Sequence, residues 1–329
     1  MSAFNPLPFQ KEAEDNLLEG FLRLWKKQGR QLPLVFKSPT GSGKTLIAAH
    51  FVRGLNHLPQ WKIDKAFIWI TFSDDLTMQS KDKFKVYFDN GLENNLLTVN
   101  DINKGKLYEN DILFLNWQKV VSRAAENRVL RKPTDELMLK ESGKYFEDVI
   151  DGTKKDGREI ILIIDEAHTH KSTELAQEIV DYIDPKIIVH ITATPDDKDI
   201  AKAATLGSFV PVDREKVVGE GLIKEKILVQ TEEDLQKFKG KDLDEVLLSL
   251  GMEKRQELAN EFIALGKEIN PLMLIQLPND DKELVAKGDK TKEEVVSQFL
   301  ASKGVKSQQI AKWFDGKKEN LDFITDNDS

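Results

Sequence analysis

The sequence predicts an α/β fold, a parallel sheet with helices on both faces, and three observations carry that expectation. Short apolar runs rich in β-branched and aromatic residues recur at residues 32–36 (LPLVF), 66–72 (AFIWITF), 112–117 (ILFLNW), 160–165 (IILIID) and 187–194 (IIVHITAT). Near-continuous apolar runs of this length mark strands buried on both faces. Between them lie stretches of helical period, such as Leu17, Leu18, Phe21, Leu22 and Trp25 in residues 11–25, where one apolar face packs on a core. The first run also feeds a glycine-rich loop that opens into a helical stretch, LIAAHFVRGL from Leu46. Strand, loop and helix in that order begin a doubly wound α/β domain.

Bulk composition sets the limits. With 329 residues, 40% apolar and 32% charged, the chain has room for two domains and a sizeable core. It contains no cysteine, which excludes disulfides and thiolate metal sites and suits a reducing, cytoplasmic setting. The N-terminus, MSAFNPLPFQKEAED, has no basic segment leading into an apolar one. No apolar run approaches membrane-spanning length, so no membrane partner is expected. The net charge of −8 argues against a protein that coats nucleic acid by bulk attraction. Charge is nevertheless uneven: residues 1–150 carry 22 Lys+Arg against 19 Asp+Glu (net +3), and the remainder 26 against 37 (net −11). Basic patches are therefore possible in the front half, while the rear reads as a solvated acidic surface.

The most informative stretch is residues 32–45, LPLVFKSPTGSGKT. A strand, a small-residue turn and a helix N-terminus together aim backbone N–H groups at a phosphate chain. Glycines let the backbone approach phosphate oxygens in conformations that a Cβ forbids. Lys44 brings a point positive charge to the outer phosphates, and the Thr45 hydroxyl is placed to ligate Mg²⁺. Pro39, Thr40, Gly41, Ser42, Gly43, Lys44 and Thr45 are thus expected to bind a nucleoside triphosphate. One departure stands out: the strict pattern has glycine where this chain has Ser38.

Hydrolysis needs a carboxylate that holds the metal and a group that activates water. Asp165-Glu166-Ala167-His168 closes the IILII run, and in open α/β sheets ligands sit outside the carboxyl ends of the strands, where the phosphate loop also lies. Asp165 is expected to hold Mg²⁺ and Glu166 to orient or deprotonate the attacking water. His168 and His170 have a spacing seen in metal sites, but no further ligand cluster accompanies them, so His168 reads better as a polar link from the site to its neighbours. Thr192 and Thr194 end the next run and could sense the nucleotide through hydrogen bonds. Ordinary strand-end threonines explain them equally well.

Elsewhere the reading is coarser. Arg123, Arg128 and Arg131 cluster in a polar stretch between residues 118 and 158, either as a solvated helix face or as contacts to phosphates. Residues 196–221 read as loop-rich, 241–267 as a long helix and 271–277 (PLMLIQL) as a buried strand. Thr291 and Glu294 form a capping-box signature for a further helix. The organisation expected is a first domain at 1–225, a helical connector at 226–270 and an incomplete second α/β unit at 271–329.

Taken together, FQ at Phe9 and Gln10, SPTGSGKT at 38–45, DEAH at 165–168 and TAT at 192–194 resemble the first motor domain of superfamily 2 helicases and translocases, a RecA-like phosphate-loop domain. That family tolerates a non-glycine residue at the position of Ser38. The resemblance implies that Gln10 reads the adenine edge, Lys44 and Thr45 hold phosphates and Mg²⁺, Asp165 and Glu166 hydrolyse ATP, and His168, Thr192 and Thr194 couple the site to DNA. ITFSDDLTMQ at 70–79 looks like the family's next motif, whose loop touches the nucleic-acid backbone. LNWQKV at 115–120, GREIILIIDEAH at 157–168, TATP at 192–195 and VVGEGLIK at 217–224 resemble the restriction (Res) subunit of type III restriction enzymes. By that resemblance the cofactors are ATP and Mg²⁺, and the partners are DNA and a modification or specificity subunit. The family's later motif, with arginines reaching the γ-phosphate, and its nuclease domain have no counterpart here. The expectation is thus a motor fragment that binds ATP well and turns it over poorly. A nucleotide-dependent switch that does not translocate, and a related helicase acting on RNA, remain as alternatives.

Overall fold

The computed structural model describes residues 5–88, 94–102, 105–117, 146–165, 174–225, 242–278, 290–314 and 317–320. Two compact units divide the chain, Met1–Ile227 and Leu228–Ser329.

The first unit is a seven-stranded sheet with helices on both faces. In chain order it runs α1 (Pro8–Trp25), β1 (Leu32–Lys37), α2 (Lys44–Asn56), β2 (Lys65–Thr71), α3 (Asp74–Tyr87), β3 (Leu96–Leu97) and β4 (Ile112–Asn116). Then follow α4 (Phe146–Lys155), β5 (Glu159–Asp165), α5 (Glu174–Ile183), β6 (Ile187–Thr192), α6 (Asp197–Leu206), β7 (Phe209–Pro211) and α7 (Arg214–Gly219). The strand order is β3-β4-β2-β5-β6-β1-β7, and every pairing is parallel. All five apolar runs of the sequence are strands of this sheet.

Alternation along each strand splits the core in two. Phe67 and Trp69 of β2, with Ile161 and Ile163 of β5, face a cluster built with α1, α2 and Phe84 of α3. Ala66, Ile68 and Ile70, with Ile160, Leu162 and Ile164, face a second cluster built with α4 and α5. Because both faces are covered, neither phase of the alternation is polar, which is why these strands read as unbroken apolar runs. Helices α1 and α2 run side by side in the same direction: Gln10 lies against Gly43 and Leu18 against Gly54. Both helices therefore begin at the same edge of the sheet.

Residues 196–221, read from sequence as loop-rich, hold α6, β7 and α7 instead. The local signals are present: the Asp196 carboxylate caps α6 by accepting from the Lys198 N–H at 2.8 Å, and Gly207 ends it in the left-handed region at φ 69°. What hid β7 and α7 is length, since three residues and six residues are too few to show a period.

The second unit contains α8 (Leu243–Ala264), α9 (Lys292–Ser302) and a hairpin of β8 (Lys312–Phe314) with β9 (Lys317–Glu319). The Thr291 capping box forms as expected, with Glu294 N–H donating to Thr291 Oγ1 and Thr291 N–H to Glu294 Oε2. The buried strand expected at 271–277 does not form. Burial alternates along the segment, with Met273 packed on Gly251 of α8 and Leu274 94% exposed. A strand needs a ladder partner for its backbone, and none pairs with this segment among the described residues.

Candidate nucleotide site

The chain leaves β1 at Lys37 and turns through Ser38–Gly43 into α2. The Ser42 N–H donates to the Pro39 carbonyl at 3.2 Å, closing a four-residue turn with Gly41 at its third position. Gly41 has φ 86°, and Gly43, the residue preceding α2, has φ 84°. Both values lie where a side chain is strained, so the two glycines at these positions are required by the backbone. Gly43 also has no room: a Cβ there would lie 2.6 Å from Gln10 Nε2.

Ser38 explains its own departure from the glycine pattern. It is not among the residues with positive φ, so its backbone makes no demand for glycine. Its side chain is fully buried and its Oγ lies 2.6 Å from Ser42 Oγ, bracing the two ends of the turn.

The sheet brings Asp165, Thr192 and Thr194 to the same edge. Strands β5, β6 and β1 are consecutive neighbours; Asp165 is in register with Ile191, and Lys37 with Thr192. The Ser38 N–H donates to the Thr192 carbonyl at 3.1 Å, tying the start of the phosphate loop to the end of β6. Thr192 Oγ1 in turn accepts from the Thr194 N–H at 3.1 Å, which shapes the TAT turn. Asp165, half-buried, ends β5 on this edge. Glu166 and His168 lie outside the described residues, as do Arg123, Arg128 and Arg131.

Gln10 lies at the start of α1, beside the loop. Gln10 is 4% exposed and its amide is engaged at both ends: Nε2 donates to the Ser42 carbonyl at 3.0 Å, and Oε1 accepts from the Leu7 N–H at 2.9 Å. In this geometry it holds the loop at 38–43 to α1.

One turn further along α1, Glu14 is buried and pairs with Lys11 at 3.1 Å. Its Oε2 lies 3.9 Å from Nδ1 of His50 on α2. Burial pushes the His50 pKa below the usual histidine value; Glu14 opposes the shift, while Arg53 and Lys11 reinforce it. These residues escaped sequence reasoning because the pairing joins two helices, and nothing local to either marks it.

The next loop is also held by side chains. The Ser73 hydroxyl caps α3. Buried Thr77 hydrogen-bonds Thr71 Oγ1 (2.6 Å) and the Leu115 carbonyl (3.2 Å), and Asn116 donates to Asp74. The start of α3 is thus fastened to the carboxyl end of β4.

A strand–loop–helix with two left-handed glycines, followed by Lys44 and Thr45 and flanked by an acidic strand end, can bind a polyphosphate and a hard cation. Residues 3–197 match the family described as "Type III restriction enzyme, res subunit". The chain belongs to this family. The matched residues all lie in the first unit. Among solved structures, this Res-family chain is similar to the UvsW helicase from bacteriophage T4, at 18% identity and a TM-score of 0.35, over 63% of this chain and 59% of that one. It is also similar to a nuclease-deletion mutant of the Type ISP restriction-modification enzyme LlaGI, solved with a DNA substrate mimic. That match has 13% identity and a TM-score of 0.41, over 78% of this chain and 22% of that one. The chain spans less than two thirds of either. No curated protein matches it. Among the described residues, no helix is long and apolar enough to cross a membrane.

Proposed function

We propose that the chain is the ATP-binding and ATP-hydrolysing motor part of a DNA translocase of the type III restriction class. The observation that carries the reading is the phosphate loop itself: Gly41 and Gly43 at positive φ between β1 and α2, fastened by Ser38 to the Thr192 carbonyl. In this reading Pro39, Thr40, Gly41, Ser42 and Gly43 cradle the phosphates with their backbone, and Lys44 neutralises the outer charge. Thr45 and Asp165 supply hard oxygen donors, which suit Mg²⁺. The metal would neutralise charge on the phosphates during transfer. Glu166 acts on the attacking water, while His168, Thr192 and Thr194 link the site to DNA. Arg123, Arg128 and Arg131 are assigned to DNA phosphates, and a modification subunit is the natural source of sequence specificity. Double-stranded DNA is the proposed track, and the cytoplasm the proposed location.

The test is an equilibrium titration with ATP and MgCl₂ on the wild-type chain and Lys44→Ala, followed by ATPase assays with duplex DNA and with RNA. Loss of affinity in Lys44→Ala and stimulation by duplex DNA support the reading. Unchanged ATP affinity in the variant removes the phosphate-site assignment, and stimulation by RNA alone moves the substrate to RNA.

A further inference from the structure

The loop at 38–43 has an outer wall built from residues beyond the matched span 3–197. Residues 212–225 leave β7, form α7 and return across the loop. The Val212 N–H donates to the Lys37 carbonyl at 2.8 Å, so the segment starts beside the last residue of β1. Val217 is fully buried in the core that α1 and α2 share. Lys216 Nζ reaches Glu12 Oε2 of α1 at 2.6 Å. The chain then reverses at Gly221, where φ is 73°, and is fastened again by Arg214 Nη2, which donates to the carbonyls of Lys224 and Glu225 at 2.6 and 3.0 Å.

Between these ties, Ile223 points its branched side chain at the loop. A Cβ placed on Gly41 would lie 2.9 Å from Ile223 Cγ2 and 3.8 Å from the Leu222 carbonyl oxygen. The Ile223 methyl therefore rests directly on the residue whose positive φ makes the Pro39–Ser42 turn possible. Close-packed contacts do not stretch: when one side moves by a few tenths of an ångström, its partner follows or a void opens. Nucleotide binding acts on the same turn from the inside, through its backbone N–H groups.

We propose that Ile223 is a positioning residue for the phosphate loop and that residues 214–225 sense its occupancy, carrying the loop's state to the end of the first unit. This rests on the reading of the loop as an ATP site. A rearrangement of Gly41 on binding phosphate shifts Ile223. Through the Arg214 bonds, that shift reaches Lys224 and Glu225, the last described residues before the unit boundary.

The test is amide hydrogen exchange on the full 329-residue chain, with and without a non-hydrolysable ATP analogue and MgCl₂. The expected result is slowed exchange in residues 38–45 together with a changed rate in residues 214–225. In Ile223→Ala, analogue affinity falls by about 5-fold or more, the size of a typical coupling between sites, and the response of 214–225 is lost. Ile223→Val, which keeps the methyl, restores both. Slowed exchange at 38–45 with no change at 214–225 overturns this inference and leaves the ATP site standing. No change in either segment removes the ATP reading itself, and this inference with it. The wild-type measurement decides between these outcomes even where Ile223→Ala folds poorly.

Discussion

Gln10 Nε2 donates to the carbonyl oxygen of Ser42, 3.0 Å away and shielded from water. The bond joins the first turn of α1 to the phosphate loop, so the loop's shape depends on a helix that precedes it in the chain.

Replacing Gln10 by alanine strands the buried Ser42 carbonyl and the partly buried Leu7 N–H. An unsatisfied buried polar group costs about 1–3 kcal/mol, so the urea midpoint should drop by that equivalent and ATP affinity should fall with it. Gln10→Glu keeps the acceptor for Leu7 but sets a buried carboxylate oxygen against the Ser42 carbonyl, and at neutral pH should cost at least as much as alanine. If Gln10→Ala unfolds at the wild-type midpoint, the bond does not hold the loop.

Gly43→Ala tests strain and crowding together. The left-handed backbone costs a side chain about 1–2 kcal/mol, and the new Cβ would meet Gln10 Nε2 at 2.6 Å. Gly157, with φ 78° and nothing within 4 Å of its would-be Cβ, is the matched control for strain alone. Chemical denaturation should show Gly43→Ala costing more than Gly157→Ala. Its excess should shrink when Gln10 is also alanine, a coupling expected of residues in contact. Additive losses would mean that Gln10 does not crowd Gly43.

His50 gives the first unit a pH dependence of known sign. Its Nε2 is buried without a hydrogen-bond partner among the described residues, and burial lowers its pKa in the folded protein. The unfolded chain binds the proton more readily, so this contribution is fully present above the ordinary histidine pKa of about 6.5. It is lost as pH falls through the lower folded value. Glu14, Arg53 and Lys11 are the charged groups that act on it. Urea midpoints measured from pH 8 down to 5.5 should decline in wild type and decline less in His50→Gln. Parallel curves for the two proteins would exclude His50 as the source.

The sheet was legible because a strand buried on both faces has no polar phase to confuse its reading, and β2 is buried at every position. The glycine loop was legible because its left-handed turns demand glycine at positions 41 and 43, and Thr291 announced its helix through Glu294. Residues 271–277 show the limit. Their apolar content resembles that of β5, yet Leu274 is 94% exposed and no strand pairs with the segment among the described residues. Apolar content says that a segment prefers burial; whether a ladder partner exists is decided elsewhere in the chain.

By itself, the sequence determined the parallel sheet, the order of its five main strands along the chain, and the loop of Gly41, Gly43, Lys44 and Thr45, because local conformation and burial leave their mark on neighbouring residues. Only the tertiary structure decided what surrounds that loop: Gln10 on Ser42, Thr192 on Ser38, Ile223 on Gly41. Each of those contacts joins residues far apart in sequence through the strand order β5-β6-β1-β7 and the docking of α1. No periodicity or spacing records a partner that only folding brings into reach.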